Sequence, residues 1–261
     1  MSNTTEPGTA LDPTPPERAA DPAPHDAGSA GHLLRRAVAE AVGTAFLVAA
    51  VIGSGIAATR LSPDDVGLQL LENSIATGAV LVALILALQP VSASFNPAVT
   101  LVEAVLGRIG AGTAAALAAA QVLGGALGAI VANVMFELDA VSISTQERGG
   151  SGQLVAEAVA TLGLVLVIFG TLRAGRPELV AYTVGGYIAA AYWFTSSTSF
   201  ANPAVTLART LSDTFAGIAP ASVPPFVLMQ LVGAGLGAGL VALLHYEPPA
   251  SPAPSDSPQE A

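Results

Sequence analysis

With 261 residues, 52% of them hydrophobic and only 11% charged, the chain is too apolar for a soluble domain and is rich in runs of membrane-spanning length. All nine basic residues are Arg, against 19 acidic ones, for a net charge of −10; that sign argues against nucleic acid as a partner. There is no Cys, which excludes disulfides and thiol chemistry.

Most of the acidity sits at the ends. Residues 1–33 carry Arg18 against Glu6, Asp12, Glu17, Asp21 and Asp26, and residues 246–261 carry Glu247, Asp256 and Glu260. Both stretches are rich in Pro, Ala and Ser and lack apolar periodicity, so both are expected to be disordered tails. The first is too polar and acidic for a signal peptide. Between them lies an expected membrane domain at 34–245.

A first span at about 37–58 contains Glu40 and Thr44, and a polar link with Arg60, Asp64 and Asp65 leads to a second at about 68–88. Next comes the hexapeptide Asn96-Pro97-Ala98-Val99-Thr100-Leu101 and a short helix ending near Arg108. A third span, built of small residues, covers about 109–136. The fourth, at about 153–172, opens with Ala156-Glu157-Ala158 as the first did with Ala39-Glu40-Ala41. After a fifth at about 179–194 the hexapeptide returns letter for letter as Asn202-Pro203-Ala204-Val205-Thr206-Leu207, and a sixth span covers about 225–245. Gln121 and Gln230 open matching small-residue runs in the third and sixth spans.

Three landmarks in one order in each half mark an internal duplication, at about 34–136 and 153–245. Three spans is an odd number, so the second half enters the membrane inverted. An inverted repeat places its site near the midplane, between the halves. Each hexapeptide carries helix-start chemistry: Asn is a preferred N-cap, and Pro fits the first helical position. Because each follows a run long enough to cross a bilayer, its short helix is expected to re-enter the membrane and line a cavity. The expected fold is therefore an all-α membrane protein with six transmembrane helices and two re-entrant half-helices. With five Arg at expected cytoplasmic ends (Arg35, Arg36, Arg108, Arg173, Arg176) against Arg60, Arg148 and Arg209 outside, both termini are predicted in the cytoplasm. Gly124/Gly128 and Gly233/Gly237 are small-xxx-small pairs expected at close helix crossings.

No metal-ligand cluster, nucleophile with a base, or phosphate loop is legible, so neither an enzyme nor a cofactor is expected. An ion-coupled transporter is the rival class, since inverted repeats are common there.

On its two Asn-Pro-Ala motifs and paired Ala-Glu helix starts, the chain resembles the aquaporin and glycerol-facilitator family over about 34–245. The resemblance implies a homotetramer with one pore per subunit, in the lipid bilayer of a bacterial inner membrane, passing water or small neutral solutes passively. Asn96, Pro97, Ala98, Asn202, Pro203 and Ala204 then form the pore motifs. Exclusion of protons and cations by half-helix dipoles is an established property of aquaporin-type channels and is implied here by the resemblance. Glu40 and Glu157 match buried acids that support the re-entrant loops; a proton relay is the alternative, though the three His lie in or beside the tails.

The usual second motif continues with Arg, where this chain has Val205. Family spacing places Ser199, Ala190, and Ala76 or Thr77 at the other constriction positions. The filter is thus expected to be wide, small-sided and without Arg, passing glycerol-like polyols. Arg209 lies four residues beyond Val205; it either reaches back to rebuild a strict water filter or pairs with Asp213 on a solvated face, the reading favoured by the i,i+4 spacing. The segments around Tyr192–Val205 and Ala208–Pro220 resemble a bacterial subgroup associated with arsenic detoxification, which implies arsenite as neutral As(OH)3 among the solutes. Ser92-Ala93-Ser94-Phe95 stands where Gly-Ala-His is usual.

Overall fold

The computed structural model describes residues 30–244, and the secondary structure there is entirely helical. Eight α-helices follow in order: α1 Ala30–Leu61, α2 Val66–Leu88, α3 Pro97–Val105, α4 Ala111–Met135, α5 Ser151–Arg173, α6 Val180–Phe194, α7 Pro203–Ala208 and α8 Val223–Leu244. Five of them (α1, α2, α4, α5 and α8) are long and apolar enough to cross a membrane. The protein is an integral, multi-pass membrane protein. α6 has only 15 residues and is lengthened at its start by a 3-10 turn, Pro177–Leu179.

The expected tails lie largely outside the described residues, but their inner boundary is corrected. Helix begins at Ala30 and not beyond residue 33, with no Pro between Ala30 and the apolar run. The first helix therefore starts about two turns before the expected span.

The halves repeat one arrangement. α1 packs along α4 and α2, and α5 packs along α8 and α6, while α2 against α6 joins the halves. Glycine sets the approach at these crossings. A Cβ on Gly124 or Gly128 would overlap the carbonyl oxygens of Ala41 and Ala45, and one on Gly233 would overlap that of Ala158. Between the halves, a Cβ on Gly78 would lie 2.9 Å from Gly185 O and one on Gly185 would lie 2.6 Å from Gly78 O, a reciprocal contact that only two glycines allow.

α3 and α7 are the two short helices, and both pack against α4 and α8. Their starts are alike. Asn96 and Asn202 sit at extended N-cap positions, each followed by Pro; Asn96 accepts from Ala98 N, and Asn202 from Ala204 N and Val205 N. The side-chain oxygen thereby satisfies amides that a helix start leaves open.

Candidate functional site: a cavity between the halves

The site is built where the two Asn-Pro-Ala turns meet. Asn96 donates its side-chain amide to Ala201 O (2.7 Å), and Asn202 donates to Phe95 O (2.7 Å). Each turn is thus fastened to the residue preceding the motif of the other half. Those two residues are Phe95 at φ 48° and Ala201 at φ 46°, a left-handed conformation that costs a side chain other than Gly or Asn energy and persists only when neighbours hold it.

Buried carboxylates hold both. Glu40 Oε2 accepts from Phe95 N (2.6 Å) and Gln121 Nε2 (2.8 Å), while its Oε1 accepts from Ser94 N (2.9 Å) and Ser92 Oγ (2.5 Å). Glu157 takes Phe200 N and Ala201 N (3.0 Å each) and Gln230 Nε2 (2.6 Å). Gln121 and Gln230 also reach Thr100 and Thr206 in the hexapeptides. The three landmarks repeated in the sequence are one hydrogen-bonded unit, present twice.

A cavity of about 430 Å³ runs past both motifs, lined by Asn96 and Asn202 together with His32, Arg36 and Arg108 from the first turns of α1 and the end of α3, and Arg209 from beyond α7. Its wall is mixed in character. Long helices contribute aliphatic side chains: Leu47 and Val51 (α1), Leu81 and Ile85 (α2), Leu164 and Ile168 (α5), Val184 and Ile188 (α6). The segments preceding α3 and α7 contribute the hydroxyls of Ser92, Ser94 and Ser199 and the two Asn amides, beside Val91, Ala93, Phe95, Phe200 and Ala201. Near the first group of polar residues, Ser94 Oγ donates to Glu103 Oε2 at 3.2 Å.

Of the residues assigned to the constriction from the sequence, Thr77, Ser199 and Val205 line this cavity. Two are corrected. The lining stripe of α6 is Val180, Val184, Ile188 and Tyr192; Ala190, two residues and 200° around the helix from Ile188, is on the exposed side. Ala76 is one step off the α2 stripe of Thr77, Leu81 and Ile85. Spacing carried over from a family holds only when the loop has the same length, and here α6 ends at Phe194 before a segment with left-handed Thr198, Ser199 and Ala201. The i,i+4 stripe ending at Tyr192 was the signal available in the sequence. Its hydroxyl meets Thr77 Oγ1 at 3.1 Å, so the wall here is not made of small residues alone.

Arg209 is likewise corrected. It is 3% exposed, not solvated, and Asp213 bonds instead to Thr145 N and Oγ1. Regular helix ends at Ala208, and a 3-10 turn follows at Arg209–Leu211, so the i,i+4 geometry never forms. The Arg209 guanidinium lies 3.5 Å over the Phe200 ring, and its Nε donates to Ala216 O. Arg148 also lies over Phe200, at 5.0 Å, and bonds to Gly217 O (2.7 Å) and Phe215 O (3.1 Å). Burial holds the Arg148 guanidinium below its ordinary pKa, with Tyr192 and Glu157 pulling the other way.

The sequence pattern of the major intrinsic protein family matches residues 29–191. The chain belongs to that family. Over 203 residues it is 52% identical to the aquaglyceroporin AqpS of Rhizobium meliloti, an alignment covering 77% of this chain and 86% of the relative. Its fold is similar to the X-ray structure of the aquaglyceroporin from Plasmodium falciparum, with a TM-score of 0.63 at 18% identity, covering 82% of this chain and 95% of that one. As a major intrinsic protein it is a passive channel for small solutes and not an enzyme.

Proposed function

We propose that this major intrinsic protein passes small uncharged, hydroxyl-bearing solutes, with glycerol-like polyols as the main class and water and As(OH)3 as further members. The observation that carries this is the mixed wall of the cavity, largely aliphatic on the long helices, with Ser hydroxyls and both Asn amides on the segments before α3 and α7. A polyol has one C–H face and one hydroxyl edge and matches such a wall along its length. Its relationship to an aquaglyceroporin that is 52% identical supports the same class.

In this reading α6 with its 3-10 turn is the fifth of six spans, and α3 and α7 are half-helices entering from opposite sides, within an inverted repeat. Both termini face the cytoplasm of a bacterial inner membrane, and four copies assemble with one pore each. The positive ends of α3 and α7 meet at Asn96 and Asn202, where they oppose cations and hydrated protons. Each Asn amide gives one N–H to the opposite turn and keeps one for a solute oxygen. Glu40 and Glu157 act as scaffolds, since every hydrogen bond described for their carboxylates comes from loop amides, Ser92 or the Gln residues. The filter is Thr77, Tyr192, Ser199 and Val205. A strict water channel is the second reading, favoured by Arg209 and Tyr192 on the cavity wall.

Stopped-flow light scattering on proteoliposomes separates the two. Glycerol and arsenite entry well above empty liposomes, lost in Val205→Arg with water flux retained, is the expected result. Fast water flux with no solute entry would establish the strict water channel instead.

A further inference from the structure

We propose that the outer end of the cavity holds a binding site for a small monovalent oxyanion of carboxylate type, formed by Arg209 and Ser199 with Arg148 as a second positive charge. Arg209 is 3% exposed and Ser199 4%, and both line the cavity. Of the five N–H groups on the Arg209 guanidinium, the one on Nε bonds to Ala216 O. Among the described residues, no hydrogen bond engages the other four. Ser199 Oγ is buried and has no hydrogen-bond partner among the described residues. Two sets of unused donors therefore belong to residues lining the same cavity.

Charge decides which ligand fits. Both guanidiniums share the Phe200 ring and take backbone carbonyls at 215–217 as hydrogen-bond acceptors; no carboxylate bonds to either among the described residues. Asp213, the nearest acid in sequence to Arg209, is held by Thr145. Glu157 contributes attraction at a distance, but its oxygens are occupied by Phe200 N, Ala201 N and Gln230. A buried cation without a partnered anion is costly. A carboxylate supplies the missing charge, and a planar two-oxygen anion matches the terminal fork of Arg. The aliphatic side chains of the long helices offer an anion no comparable donors, so it is held beside Arg209 and obstructs neutral solutes.

The site follows from the packing around Phe200, and only its readout rests on the channel reading. Glycerol entry into proteoliposomes is measured with sodium acetate equal on both sides and sodium chloride balancing the ionic strength. Acetate is expected to slow the native protein saturably, whereas chloride alone does not. Relative to its own acetate-free rate, Arg209→Gln is expected to lose the slowing, and Ser199→Ala to need about tenfold more acetate, the effect of one hydrogen bond to a charged group. Equal slowing in native protein and both variants, or none in the native protein, overturns the site. Ser199→Ala keeps the test decisive if Arg209→Gln does not fold. Native glycerol entry no faster than in empty liposomes refutes the channel reading alone. Calorimetric titration of acetate into the purified native protein then decides the site: saturable heat that Ser199→Ala weakens supports it, and no heat overturns it.

Discussion

Glu40→Gln tests whether the buried carboxylate is a scaffold. Four donors converge on its two oxygens: Ser92 Oγ and Ser94 N on Oε1, Phe95 N and Gln121 Nε2 on Oε2. The glutamine amide must turn its nitrogen toward one pair. Facing the first, Ser92 rotates to accept and Ser94 N–H is stranded. Facing the second, Gln121 flips, since its Oε1 has no partner in the native protein, and Phe95 N–H is stranded. Either way one buried backbone N–H loses its acceptor, at about 1–3 kcal/mol. The surviving bonds weaken as their acceptor becomes neutral, and relief of burying a charge offsets part of that loss. A net destabilisation of about 1–3 kcal/mol is expected, read by thermal unfolding of purified protein. Glycerol flux should fall further than stability, because the stranded amide, of Ser94 or Phe95, belongs to the segment whose Phe95 carbonyl meets Asn202. Unchanged stability and flux would refute the scaffold argument. Unchanged stability with altered proton flux would instead establish a relay.

Gly124→Ala is expected to lower stability by about 1–3 kcal/mol through overpacking against Ala41, whereas Gly112→Ala, on the same helix with open space around it, changes it by less than about 1 kcal/mol; equal effects would refute the packing account. Tyr192→Phe removes the hydroxyl shared with Thr77 and should cost about 1 kcal/mol while altering the glycerol-to-water permeability ratio. Ala190→Ser on the outer face leaves that ratio unchanged, and a reversed pattern in solute flux would restore Ala190 to the pore. Asn202→Asp loses the donor to Phe95 O and places negative charge against a carbonyl; it should destabilise by about 1–3 kcal/mol and raise sodium conductance in planar bilayers. Native stability with background conductance would count against the interlock.

The duplicated Glu, hexapeptide and Gln were legible because identical chemistry recurs in one order, and in each half the Gln bonds directly to the Glu and to the Thr of the hexapeptide. Their partners were not, since Phe95 and Ala201 contribute backbone atoms that any residue carries. Tyr192 was missed and Ala190 named instead because residue counting assumes a loop length, whereas the four-residue spacing of Tyr192, Ile188 and Val184 is independent of the loop. Arg209 was misplaced by assuming that α7 continued. Nothing local in Ala208-Arg209-Thr210 announces that helix gives way to a 3-10 turn, which is set by where the carbonyls at 215–217 come to rest.

The interlocked Asn amides impose an order on biosynthesis. Phe95 O waits for a donor 107 residues further along, and Ala201 O receives one from a residue made 105 earlier. At ordinary rates of synthesis the first turn stands unlatched for roughly 5–20 s, with α1, α2 and α4 already inserted. During that interval Glu40, with Gln121 bonded to it and to Thr100, pins the turn, so the same carboxylate that supports the finished pore also guards the half-made one. A chain cut between α4 and α5 would retain that pin and lack the latch, and could regain the latch only from a separately made second half.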